Sequence, residues 1–181
     1  MRGMTEITPT DSAASAAPLD AEQVLRILEF ARSEVFDRTY SEGMGLVEET
    51  AGYLDGVGRA ASKRLSRTAA LAYAGESMRL TTRLMQVASW LLVQRAVRDG
   101  EISIRDAANE KYRFTARRRP EEPFAAADEL PGELKDLIRR SESLFERVRR
   151  LDETMYDPKS EDAAPIGAAA QLSRLRDVFG G

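Results

Sequence analysis

The sequence predicts an all-α fold: an antiparallel three-helix bundle with one short extra helix and disordered termini. Two observations lead there. Apolar residues recur at spacings of three and four over three long stretches, Ser33 to Leu54, Leu65 or Ser66 to Arg98, and Pro131 to Met155. The segments between them carry glycine and proline, and none reads as a convincing strand. Helices with one apolar face each bury it most simply against one another.

Residues 1–32 read as a mostly disordered arm rich in Thr, Ser, Ala and Pro. Within it, residues 20–31 are apolar enough for helix or strand, and Asp20 with Gln23 has the spacing of a capping box. The bundle is expected over 33–155. Its first helix places Phe36, Tyr40, Met44, Val47, Ala51 and Leu54 on one face, and the run Asp55-Gly56-Val57-Gly58 is expected to stop it with a left-handed glycine cap. Gly43 and Gly45 each cost roughly 0.5–1 kcal/mol inside a helix, which close approach of another helix would offset. The second helix buries Tyr73, Leu80, Leu84, Val87, Ala88 and Leu91, flanked by Met85 and Leu92. Opposite runs a stripe of Arg79, Arg83 and Gln86 that turns apolar at Trp90, Val93 and Val97. Asp99-Gly100 breaks this helix. Ser103 with Asp106 caps a short one over roughly 104–112, and residues 113–128 read as a loop. In the third helix Leu134, Leu137, Ser141, Leu144, Val148, Leu151 and Met155 form a heptad seam interrupted only by Ser141. Residues 156–181 are expected to be a flexible tail, with Leu172, Leu175 and Phe179 spaced for one amphipathic turn.

Composition narrows function. The chain of 181 residues is 43% hydrophobic and 31% charged, enough for one core. It contains no cysteine and no histidine. That removes thiolate nucleophiles, disulfides, the commonest general base and the commonest metal ligand. No glycine-rich phosphate loop follows a strand. Glu48 and Glu49 are neighbours, so they point about 100° apart on a helix and read as a solvated face. No catalytic, cofactor-binding or metal-ligating residue is expected, and no enzyme. The first residues lack the apolar stretch of a secretory signal, and the longest strictly apolar run, Trp90 to Val93, is far too short for a membrane span. A cytoplasmic protein is the expectation.

The features left are those of a binding protein. The apolar end of the second helix, Trp90 with Val93 and Val97, is either covered by the short helix near Ile104 or left as a dimer seam or docking patch. Arg105, Lys111, Arg113, Arg117, Arg118 and Arg119 form a basic cluster opposed between 104 and 119 only by Asp106 and Glu110. It is a solvated linker, a surface for an acidic protein, or a nucleic-acid contact through 105–119. The net charge of -3 gives the last no general support. Leu172, Leu175 and Phe179 complete the candidate contact residues.

The segments Tyr40-Ser41-Glu42-Gly43-Met44, Val47-Glu48-Glu49-Thr50-Ala51, Tyr53-Leu54-Asp55-Gly56 and Ala70-Leu71-Ala72-Tyr73-Ala74, with the run SMRLTTRLMQVASWLLVQRAV ending at Val97, resemble the alphaproteobacterial regulator of CtrA degradation (RcdA) family over roughly Phe30 to Leu151. The resemblance implies a dimeric helical-bundle adaptor without catalysis or cofactor. It implies help in delivering CtrA-type response regulators and other transcription-regulator cargo to the ClpXP protease. The partners implied are a receiver-domain adaptor that primes the protease and, for some cargo, a cyclic-di-GMP-binding adaptor. It also implies gathering at the cell pole.

Overall fold

The computed structural model describes residues 19–114 and 122–156. The described chain is helical: α1 (Ala21–Ala31), α2 (Glu34–Asp55), α3 (Val57–Ser62), α4 (Arg67–Arg98), α5 (Ile104–Ala107) and α6 (Gly132–Tyr156), with single 3-10 turns at Glu110–Tyr112 and Ala127–Glu129. The helix-or-strand ambiguity at 20–31 resolves as helix. Asp20 Oδ1 accepts from the Gln23 amide at 2.7 Å while the Gln23 side chain accepts from the Asp20 amide at 3.1 Å. The helix is no part of a loose arm, because Ile27 and Phe30 are buried in the common core.

α2, α4 and α6 form the bundle. α2 runs antiparallel to α4: Asp37 meets Arg98 at 2.8 Å, and Gly43 lies against Val87 and Leu91. It also runs antiparallel to α6, where Glu49 pairs with Arg140 and Glu42 with Arg147. α4 and α6 therefore point the same way. Arg83 reaches Ser141, Trp90 reaches Asp152 and Gln94 reaches Tyr156. With 32 residues, α4 is about 48 Å long, so the connection 99–131 must return nearly the length of the bundle. Its described parts pack on α6 at one end and on α4 at the other. Phe114 packs on Phe145, the Glu122 carbonyl accepts from Arg79, and Glu129 accepts from Ser66.

Local sequence explains the ends. Ser33, Ser66 and Ser103 each accept a hydrogen bond from the amide three residues on, starting α2, α4 and α5. The left-handed glycine stop is at Gly100, φ 77°, where α4 ends. Gly56 does not adopt it. Its φ of -103° and ψ of -112° carry the chain directly into α3, and a Cβ there would lie 2.8 Å from the Gly52 carbonyl oxygen. The expected helix over 104–112 is split into α5 and a 3-10 turn, with the Asn109 side chain starting the second.

The α2 face is turned from the expected one. Phe36, Thr39, Gly43, Leu46, Thr50 and Tyr53 are buried, Tyr40, Met44, Val47 and Leu54 flank them, and Ala51 is exposed. The buried stripe contains Gly43 because α4 comes too close there for bulk. The polar break at Ser141 has a similar cause: its hydroxyl is fully buried, accepts from Arg83 at 2.9 Å and donates to the Ile138 carbonyl at 2.7 Å.

Gly43 and Gly45 of α2 should respond oppositely to alanine. At Gly43 a Cβ would lie 2.6 Å from Leu91 Cδ1 within the packed core, whereas nothing lies within 4 Å of one at Gly45. Gly43→Ala should cost on the order of 1–3 kcal/mol by overpacking. Gly45→Ala should gain about 0.5–1 kcal/mol. Urea unfolding of both variants checks this; equal shifts in the two midpoints would contradict the close approach.

Candidate protein-interaction surfaces

Trp90 lies on the stripe where α4 turns apolar, but it is not a surface residue. It is 2% exposed and Val97 is 5% exposed, with Val93 partly covered. The cover comes from this chain. The Phe30 ring of α1 sits 5.9 Å from the indole, and the indole N–H donates to Asp152 Oδ1 at 2.8 Å. Of the two alternatives for the apolar α4 end, cover by this same chain holds at Trp90, and there it comes from α1 and α6.

Asp152 is buried, and a buried carboxylate needs partners for both oxygens. The second, Oδ2, accepts from Arg113 Nε at 2.9 Å. The Arg113 guanidinium lies 4.4 Å over the Tyr156 ring, and the Tyr156 hydroxyl accepts from Gln94 at 3.3 Å. Arg113 is thus a structural cation at the start of the basic run, with its charge answered inside the protein. Arg117, Arg118 and Arg119 lie outside the described residues, as do Leu172, Leu175 and Phe179. Beyond the run, the Phe124 ring rests on Gly75, in the space a side chain there would need. Arg79 stacks on the same ring at 4.1 Å. The described residues on either side of 115–121 are therefore held at different helices, Arg113 and Phe114 by α6 and Phe124 by α4.

Between these anchors an open groove of about 500 Å³ is lined by Met85, Gln86, Ser89, Trp90 and Val93 of α4 and by Lys111 to Phe114. A second surface lies alongside. Leu71, Met78, Met85 and Leu92 of α4 are 66%, 73%, 65% and 51% exposed. Their spacing of seven places them in one line down the helix. Met85 and Leu92 were expected at the flank of the core; they belong to this exposed line instead. The heptad spacing itself is legible in the sequence.

Among the described residues no group of three or more acidic, histidine or cysteine side chains is placed to hold a metal ion, and no helix is long and apolar enough to cross a membrane. Glu49 is bound by Arg140 at 2.7 and 2.8 Å. That hydrogen bond holds its carboxyl below the ordinary range, consistent with a surface ion pair rather than a catalytic acid.

The described residues define an all-α helical-bundle protein with ion pairs buried inside it and a line of apolar side chains exposed on α4. The family model described as protein of unknown function (DUF1465) matches residues 27–179, and the chain belongs to that family, the family of RcdA. The crystal structure of RcdA from Caulobacter crescentus CB15 is similar at 62% sequence identity, covering 71% of this chain and 97% of that chain, with a TM-score of 0.61. No curated protein matches. The family pattern begins before Phe30 and continues past Leu151 through the tail to Phe179.

Two predictions follow from the buried groups. Asp152→Ala strands the Trp90 N–H and the Arg113 cation, and should cost about 3–5 kcal/mol in a denaturant melt. Trp90→Phe in that background should add less than it does in the wild type, because the shared hydrogen bond is already gone. Burial pushes the phenols of Tyr53 and Tyr156 up to about 12. The unfolded phenol ionises near 10, so the folded state retains protons that the unfolded chain loses. This stabilisation should be complete below about pH 10 and fade as pH rises towards about 12. An alkaline titration of phenolate absorbance beside a stability curve reads both effects.

Proposed function

We propose that this chain is a non-enzymatic adaptor that brings cell-cycle regulators, CtrA-type response regulators among them, to the ClpXP protease. The observation that carries the reading is its 62% identity with RcdA over 97% of that protein's resolved chain. The chemistry is consistent: the sequence holds no histidine and no cysteine. An adaptor needs surfaces rather than a reacting group. Tethering cargo beside a protease converts a rare encounter into an intramolecular one, at effective concentrations that reach the millimolar range. On this reading its partners are ClpXP with a priming receiver-domain adaptor, transcription-regulator cargo, and a cyclic-di-GMP-binding adaptor for part of that cargo. Its place is the cytoplasm, concentrated at the pole.

The reading includes a homodimer, and the line Leu71, Met78, Met85 and Leu92 supports placing its seam on α4. Four large apolar side chains left open at heptad spacing resemble half of a helix pair. Of the described residues in the alternative nucleic-acid contact through 105–119, Arg113 is spent on Asp152.

Reconstituted degradation tests the function. ClpXP with its priming partner should consume a CtrA-type regulator several-fold faster when this protein is added; an unchanged rate with all partners present refutes it. For the seam, Met78→Glu with Met85→Glu should leave helicity intact and halve the solution mass seen by light scattering. A mass unaffected by the pair of substitutions removes α4 as the seam.

A further inference from the structure

We propose that the groove between α4 and Lys111–Phe114 is the seat of the chain's own C-terminal segment, with Leu172, Leu175 and Phe179 entering it. The groove has a size and a lining that call for apolar side chains. Its volume of about 500 Å³ lies within the roughly 300–1,000 Å³ of clefts that hold compact ligands. Met85, Trp90, Val93 and Phe114 supply an apolar floor, with Lys111 at the rim. Met85 is 65% exposed beside it, so the groove is open along one side.

The position of the last described helix points to the occupant. α6 ends at Tyr156, and the Tyr156 ring lies under Arg113, whose side chain also lines the groove. The tail therefore starts beside the wall of the cavity. Residues 157–171 can span roughly 50 Å when extended, far more than is needed to return to Trp90. A tether of this length gives a weakly binding segment a high local concentration. The spacing of Leu172, Leu175 and Phe179 puts all three on one side of a helical turn, the pattern by which a short helix fills an apolar groove. Independently, the family pattern does not stop with the bundle but continues to Phe179, the last of these three residues. A tail acting only as a spacer has no need of that pattern.

The inference stands apart from the adaptor reading, since it concerns the isolated protein. The natural chain has no cysteine, so Ser173→Cys gives a single attachment point for a nitroxide label in the full-length protein. In a dilution series of amide spectra, Ser89, Val93, Lys111 and Phe114 should lose most of their signal at every concentration. Ala60, on α3 at the other end of the bundle, should keep its signal. Leu175→Asp with Phe179→Asp should restore the groove signals. Undiminished groove signals overturn the proposal, as does a loss that survives the two aspartates. A loss that fades on dilution assigns the contact to the tail of a second copy and overturns it equally. Degradation activity is not read here, so failure of one idea leaves the other separately testable.

Discussion

The carboxylate of Asp152 holds together three parts of the chain that share no local sequence. One oxygen takes the indole N–H of α4 and the other takes the guanidinium that follows the 3-10 turn, while the carboxylate itself rides on α6. Charges leave water reluctantly, and the arrangement is tolerable only because both oxygens are matched and the cation also lies over an aromatic ring. Hydrophobic residues of equal volume would fill the same space. They would not fix where the Arg113 segment docks on α6, and that choice decides where the connection from α4 begins its return.

The return is the second organising fact. Because α4 and α6 point the same way, the chain between them cannot be a tight turn. Its described parts meet two helices, Phe114 packing on Phe145 of α6 and Glu122 and Phe124 on Arg79 and Gly75 of α4. The arginines of that stripe find partners in this return and in α6: Arg79 in the Phe124 ring, and Arg83 in Ser141 and Glu142. With α1 over Trp90, the one line of large apolar side chains that α4 leaves open is the heptad from Leu71 to Leu92.

Much of this was legible from sequence. Helix starts at Ser33 and Ser66, the break at Gly100 and the core face of α6 follow from capping residues and apolar spacing. The direction of α6 was not, since alternation is only a default that a connection of this length escapes. The face of α2 was misjudged because a search for apolar bulk passes over glycine and threonine, and Gly43 is the residue that lets α4 come close. The candidate surface failed at Trp90 for a related reason. Periodicity shows that a stripe is apolar but not which distant element lies on it, and both α1 and Asp152 are remote in sequence. Of the exposed line Leu71, Met78, Met85 and Leu92, the last two were expected at the flank of the core, since periodicity alone does not separate a covered flank from an open one.

The aromatic contacts at Phe114 and Phe124 also bear on how relatives of this protein can diverge. A stretch of chain fastened at both ends pays for added residues only logarithmically, about 0.6 kcal/mol for each doubling of its length. Insertions or changed charge between those two rings therefore leave the helices undisturbed. The length of that segment can thus change from one relative to another at little cost to the scaffold beneath.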